Sequence, residues 1–300
     1  IPFSVIIGNH DSAERLSFAS RILRGTGLFL CGDLYHTLAP VILKDDDGEV
    51  AFAPLPYAEP GKVREALSAD VHTHEEAERV LSDFLLRQMG HAARKVAIAH
   101  EFVAGGSASD SERPLSIGGT DLISADIFAP YNYTALGHLH GPQQAGGKEN
   151  VRYSGSLLKY SFSEATQKKG VIVGEIDGAG QVKTEFISLS PRHDVRVIKG
   201  FFDDLIKGES EDFLMAELLD EGPVIDAMAR LRQKYPRMMT IQSHRRMNSG
   251  SGERSFDLMK KVDPLDMFRV FYKEFQDKEF TEEEEDYMKE LWDDLRKEDD

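Results

Sequence analysis

The chain has 300 residues, enough to bury a full core as one large domain or two smaller ones. Its 41% hydrophobic and 29% charged residues are ordinary for a globular protein, and no apolar run approaches the roughly 20 residues of a membrane helix. The single cysteine, Cys31, excludes an intramolecular disulfide framework and a cysteine-based zinc site, which fits a reducing, cytoplasmic setting. A formal net charge of -16 argues against tight autonomous binding of nucleic acid, whose phosphates favour a basic surface. It does not argue against a chain that borrows a partner's basic surface. Part of the excess is local, in residues 282–286 and in Glu298, Asp299 and Asp300, which read as solvated helix faces or a tail. The first residues lack the basic leader and small-residue cleavage site of a signal peptide.

In chain order, residues 3–7 read as a short buried strand closed by Gly8. Asp11 or Ser12 can cap a helix over residues 13–23 that stops at Gly25. Residues 50–55 pair back onto residues 40–43 across the Asp45-Asp46-Asp47-Gly48 turn. Ala77, Val80, Leu81, Phe84 and Leu85 have helical spacing in a segment that ends at Gly90. Residues 96–99 form a strand that delivers His100, and residues 133–136 form the next. An antiparallel pattern follows over residues 151–154, 170–176 and 182–188, the last two joined through Asp177-Gly178-Ala179-Gly180. Past Pro191 a strand at 195–198, a helix at 224–235 and a strand at 238–242 suggest a small α+β domain. Residues 243–253 read as a loop, and residues 264–275 and 281–296 as two helices, the second opened by a Thr281/Glu284 capping box.

The residues that carry chemistry stand at strand ends. Asn9, His10 and Asp11 follow the first strand, His100 follows another, and Ala135-Leu136-Gly137-His138-Leu139-His140 ends a third in two imidazoles. His138 and His140, one residue apart, share a face on a regular strand and can converge. Neutral imidazole is a common ligand for Mn, Zn and Fe, and an Asn carbonyl is a weaker neutral ligand. A lone histidine reads more simply as a polar loop residue satisfied by backbone, whereas several at strand ends favour a metal site. His10 can face a phosphate as an acid or charge stabiliser. Asp11 can orient that imidazole, or simply cap the helix that follows. Arg237, His244, Arg245, Arg246 and Arg254 form a basic cluster that can touch phosphates or stand solvated. Leu16, Phe18 and Ile22, and further on Phe268, Val270, Phe271 and Phe275, are apolar stripes whose default is packing.

These motifs carry a resemblance. Gly8-Asn9-His10-Asp11, then His100, then Gly137-His138-Leu139-His140 are similar to the later motifs of calcineurin-like metallophosphoesterases. Residues 111–119, 135–140 and 153–164 resemble those of the SbcD family, the nuclease subunits of bacterial SbcCD complexes. The resemblance runs from Phe3 to about Pro191 and is weaker beyond. It implies an α/β fold of the metallophosphoesterase type, a β-sandwich flanked by helices, with a small α+β capping domain and a helical C-terminal tail. Domains are then expected at 1–190, 191–262 and 263–300. It also implies a two-metal phosphodiesterase, usually with Mn2+, acting on double-stranded DNA ends and hairpins beside an SbcC-type coiled-coil ATPase, as a homodimer. Carried over by position, Asn9, His100 and His138 would hold one metal and His140 would contact the other. His10 would face the phosphate with Asp11 as its support. Arg237, Arg245 and Arg246 are candidates for DNA contact, and the apolar stripes for a dimer interface and for docking on the ATPase.

The family also carries Asp-x-His and Gly-Asp motifs on two earlier strands, which supply most ligands of the first metal and the bridging carboxylate. Neither precedes Asn9 here, so the domain is expected to be incomplete at its N-terminus, with an apolar sheet edge exposed. Asp33, in Cys31-Gly32-Asp33, lies after Asn-His-Asp and is rejected as the bridging ligand. The polypeptide alone is then expected to bind at most one metal weakly and to show little nuclease activity. Two alternatives stay open: a phosphoesterase acting on nucleotides, cyclic nucleotides or phosphoproteins, and a non-catalytic subunit that only dimerises or docks.

Overall fold

The computed structural model describes residues 1–109, 112, 122–243, 272, 281, 284, 285, 287 and 288. The chain divides into two compact units. The first comprises residues 1–197, 209–215 and 235–239, and the second 198–208, 216–234 and 240–300. It is a mixed α/β protein, and no described helix is long and apolar enough to cross a membrane.

Strand β1 (Phe3–Ile6) opens the chain and ends in buried Ile7 and Gly8. The expected helix over 13–23 is two short ones, α1 (Ala13–Ser17) and α2 (Ser20–Arg24). Ser12 is the N-cap of α1 and accepts from Arg15 N–H. The break between them has no Gly or Pro to announce it. Ser17 Oγ at the end of α1 accepts Asp33 N–H at 2.9 Å, and Ala19 turns into the left-handed region at φ 59°. Phe18 and Ile22 then face solvent, 81% and 77% exposed, so packing on the sheet does not account for them. Strand β2 (Leu28–Cys31), which no periodicity announces, pairs with β1 in parallel. Asp33 closes the turn after it, its carboxylate accepting from Tyr35 N–H and pairing with His36. Cys31 is buried against the Pro54 carbonyl, and burial pushes its thiol up to about 12 against the opposing hydrogen bond with Thr37.

The hairpin of β3 (Val41–Asp45) and β4 (Gly48–Leu55) forms as expected, with Gly48 at φ 111° supplying a turn conformation that L side chains rarely adopt. Buried Arg94 locks it from below, its guanidinium bidentate on Asp45 at 2.5 and 2.8 Å and donating to the Gly48 carbonyl. Helices α3 (Pro60–Leu67) and α4 (His74–Gln88) follow. Pro60 starts α3, and a Thr73/Glu76 capping box starts α4. Ala77, Leu81 and Leu85 of α4 are buried in the core, together with Glu78 and Ser82.

Strand β5 (Arg94–His100) lies parallel to β4, and short β6 (Phe102–Val103) and β7 (Leu122–Ile123) pair with each other. Strand β8 (Tyr133–Gly137) is parallel to β5, while β9 (Gln143–Ala145) and β10 (Lys148–Tyr153) complete a six-stranded sheet of order β3-β4-β5-β8-β10-β9. β10 is antiparallel to β9, as the sequence pattern suggests, but it is also parallel to β8, so it joins the antiparallel hairpin to the parallel part of the sheet. Ala51, Ala53, Ala97 and Ala99 are buried in the middle of the sheet, where strands covered on both faces read as nearly continuous apolar runs. β11 (Gly170–Ile176) and β12 (Val182–Ser188) form the expected hairpin.

Strand β13 (Val195–Gly200), helix α5 (Phe202–Leu205), strand β14 (Phe213–Leu218), helix α6 (Ala227–Arg232) and strand β15 (Met238–Ser243) follow, the strands ordered β13-β14-β15 in one sheet. The division into units runs through these strands. Helix α6 is shorter than the expected 224–235, because Asp226 enters it from the left-handed region at φ 52°. In the second unit Phe202 is buried, with the Arg230 guanidinium 4.2 Å from its ring centroid. The loop at 243–253 and the helix at 264–275 lie outside the described residues, apart from Ser243 and helical Tyr272. The Thr281/Glu284 capping box is present, Thr281 N–H donating to Glu284 and Glu284 N–H to Thr281 Oγ1.

Candidate metal centre

Parallel strands in an open sheet present their carboxyl ends to ligands. β5 ends in His100 and β8 in Gly137, and these two residues are partners in register. β1 is followed by a tight turn in which Gly8 N–H donates to Asp11 Oδ2 at 2.8 Å and Asp11 N–H donates back to the Gly8 carbonyl. Tyr57 N–H, just beyond β4, donates to the Ile7 carbonyl and ties that turn to the sheet. The three strand ends therefore meet.

Where they meet, the His100 ring fills the space that two glycines leave. A Cβ on Gly8 would lie 2.5 Å from His100 Cε1, and one on Gly137 would lie 3.0 Å from His100 Nδ1. This gives a steric reason for a glycine before both Asn9 and His138. His100 Nε2 is 3.1 Å from Asn9 Oδ1, and the His138 ring stands edge-on to it at a centroid distance of 5.4 Å. His138 also packs against Phe102, with ring centroids 5.8 Å apart. The His138 backbone has φ 109°, a conformation that costs a residue with a Cβ about 1–3 kcal/mol and is found where function requires it. Burial, reinforced by the nearby His138 and His10 and opposed by Asp11, pushes His100 down to about 4. Its imidazole is thus neutral at neutral pH, the form that binds metals.

His10 is exposed at the rim, and the contact that holds the Asp11 carboxylate is with Gly8 N–H. His140 lies two residues beyond the strained His138, after buried Leu139, and has different neighbours. Its Nδ1 is 2.9 Å from Glu164 Oε1, and the Tyr160 ring is tilted against it at 5.7 Å. Glu164 is fully buried and ion-paired with Lys169 at 2.6 Å. Both residues have a place in the site that spacing does not reveal, since 24 residues separate Glu164 from the histidine it meets. Glu164 lies in the segment 153–164 that carried the resemblance, but nothing local in that segment points to His140.

Whether these residues suit a metal can be tested on the donor atoms. Adjacent ligands at about 2.1 Å in an octahedral shell are about 3 Å apart, the spacing of Asn9 Oδ1 and His100 Nε2. The donors gathered here are neutral, however. Among the described residues no group of three His, Cys, Asp or Glu side chains is placed to hold a metal ion. The arrangement fits part of the shell of one ion.

Arg237, the one described member of the basic trio, stacks over Phe213 with its guanidinium 5.9 Å from the ring centroid and is ion-paired with Glu211. Arg245 and Arg246 lie outside the described residues.

Comparison with known protein families adds a second line of evidence. Residues 191–275 match the family model SbcD_C, described as the Type 5 capsule protein repressor C-terminal domain. The stretch contains β13 to β15 and both helices between them. The match supports an SbcD-type protein.

Proposed function

We propose that this chain is the nuclease subunit of an SbcCD-type complex, a metal-dependent DNA phosphodiesterase. In this reading it cuts double-stranded ends as an exonuclease and hairpins as an endonuclease. The observation that carries the proposal is the convergence of Asn9, His100 and His138 at the ends of β1, β5 and β8 in a chain whose residues 191–275 match the SbcD_C family. Asn9, His100 and His138 would hold one Mn2+ and His140 would contact a second. Bound metals activate water and clamp the phosphate. Exposed His10, beside that cluster, would stabilise or protonate the phosphate oxygens. The partner would be a coiled-coil ATPase supplying the basic DNA surface that a chain of net charge -16 lacks. Exposed Phe18, just after α1, and Ile22 on α2 support a homodimer. The all-neutral donor set supports weak binding of a single ion by residues 1–300 alone, because hard divalent ions prefer carboxylate oxygen.

The test joins the full-length protein to its ATPase partner with ATP and Mn2+ and offers a hairpin-ended duplex beside a small phosphodiester. Preferential cleavage of the hairpin, lost in His100→Ala, is expected. Equal turnover of the small diester, or hairpin cleavage untouched by His100→Ala, overturns the proposal.

A further inference from the structure

His140 is fixed on more than one side. Its N–H donates to Glu112 Oε1 at 2.6 Å. Its carbonyl accepts from Lys169 Nζ at 2.8 Å and from Ser156 N–H at 3.0 Å. Its ring Nδ1 meets Glu164 Oε1 at 2.9 Å. The other oxygen of that carboxylate pairs with the same Lys169 that holds the carbonyl, and Lys169 is further anchored on Ser156 Oγ and Gln167 Oε1. The Lys169–Glu164 pair is itself buried, with side chains 3% and 0% exposed. Burying two charges is costly unless their geometry and remaining hydrogen bonds are well satisfied. A position that needed only packing could be filled by apolar residues at no loss, so the pair invites another reason for its presence. A carboxylate can only accept, so the hydrogen bond requires the proton to be on Nδ1. The neutral ring then presents Nε2 as its acceptor nitrogen.

We infer that Glu164, braced by Lys169, is a positioning residue that holds His140 in the Nδ1–H tautomer and fixes its ring plane. The inference rests on the metal reading of His140 for its purpose, though not for its geometry. A carboxylate behind a ligating imidazole makes the ring more basic and removes its rotational freedom. The same support explains how His140 keeps its orientation directly after the strained backbone of His138, where the regular strand has already ended.

The test is tautomer assignment by long-range 1H–15N correlation on the full 15N-labelled chain at pH 8, the His140 signals being identified by their loss in His140→Gln. The wild type is expected to show a protonated Nδ1 and an unprotonated Nε2. An Nε2–H tautomer or a doubly protonated ring in the wild type overturns the inference before any variant at Glu164 is made. In Glu164→Gln the tautomer is expected to shift to Nε2–H or to a mixture, and an unchanged ring overturns the inference. Should that variant fail to fold with Lys169 left uncompensated, Glu164→Gln combined with Lys169→Met removes the buried charge and is read in the same way. Mn2+ binding followed by electron paramagnetic resonance is expected to weaken about 10- to 100-fold in the variant. The two readings separate cleanly. A tautomer shift in a chain that binds no Mn2+ supports the positioning role and removes the metal, whereas Mn2+ binding with an unmoved tautomer removes the positioning role alone.

Discussion

Glu78 is a carboxyl group in the wrong solvent. It sits on the buried face of α4 with 1% exposure, and neither carboxylate oxygen finds a hydrogen-bond partner among the described residues. Burial pushes its pKa from the ordinary 4.5 up to about 8, so the folded chain holds a proton there that the unfolded chain has released at neutral pH. Below pH 4.5 both states are protonated and Glu78 adds no pH dependence. As pH rises from there the unfolded chain ionises first, and stability falls by about 1.4 kcal/mol per unit until the folded pKa is passed. Over the full interval of about 3.5 units the loss approaches about 5 kcal/mol, a large share of the 5–15 kcal/mol typical of a folded domain. Replacing Glu78 by Met keeps the length and removes the titration. Urea denaturation at half-unit steps from pH 5 to 8.5 should show the wild type losing about 3–4 kcal/mol that Glu78→Met does not. Other titrating groups are common to both proteins, so the difference between the two curves isolates Glu78. Parallel curves would refute the argument and mean that water or a structural rearrangement keeps this carboxylate ionised.

Two further predictions concern the strand ends. Gly8→Ala puts a methyl group within 2.5–2.9 Å of three atoms of the His100 ring, so the ring must move by about 1 Å from ordinary contact distance. A melting-temperature drop equivalent to about 1–3 kcal/mol is expected, together with loss of measurable metal binding, and a variant that keeps both wild-type values contradicts the steric account. At His138, whose φ of 109° suits only glycine, His138→Gly should be more stable than His138→Ala by about 1–2 kcal/mol in chemical denaturation, while both lose metal affinity. Equal stability of the two would show that the backbone there is not strained.

What the sequence revealed and what it hid follow a physical line. Signals that act within a few residues were legible. The Asp45–Gly48 turn, the hairpin through Asp177–Gly180, the Thr281/Glu284 cap and the strands delivering His100 and Gly137 all appear where local pattern puts them. Features set by distant partners were not. The break between α1 and α2 coincides with a bond from Asp33 N–H to Ser17, and β2 is a strand because β1 lies beside it. β10 is antiparallel to β9 as its pattern suggests, but its parallel pairing with β8 was not legible. In the site, the glycines and histidines were visible as motifs, but the reason for the glycines was not, because it is the volume of a ring from another strand. Glu164 and Lys169 were hidden for the same reason, since their roles exist only through His140.

Cys31 has a practical meaning for mapping partners on this protein. It is the only thiol in the sequence, it is buried, and with its pKa pushed to about 12 almost none of it is thiolate at neutral pH. For maleimides, disulfide cross-linkers and spin labels the native chain therefore behaves as if it had no cysteine. A single cysteine placed on any exposed position becomes the sole reactive handle, with the native core left untouched. Cross-linking and inter-label distance measurements that test the proposed second copy and ATPase partner can start from the wild-type background.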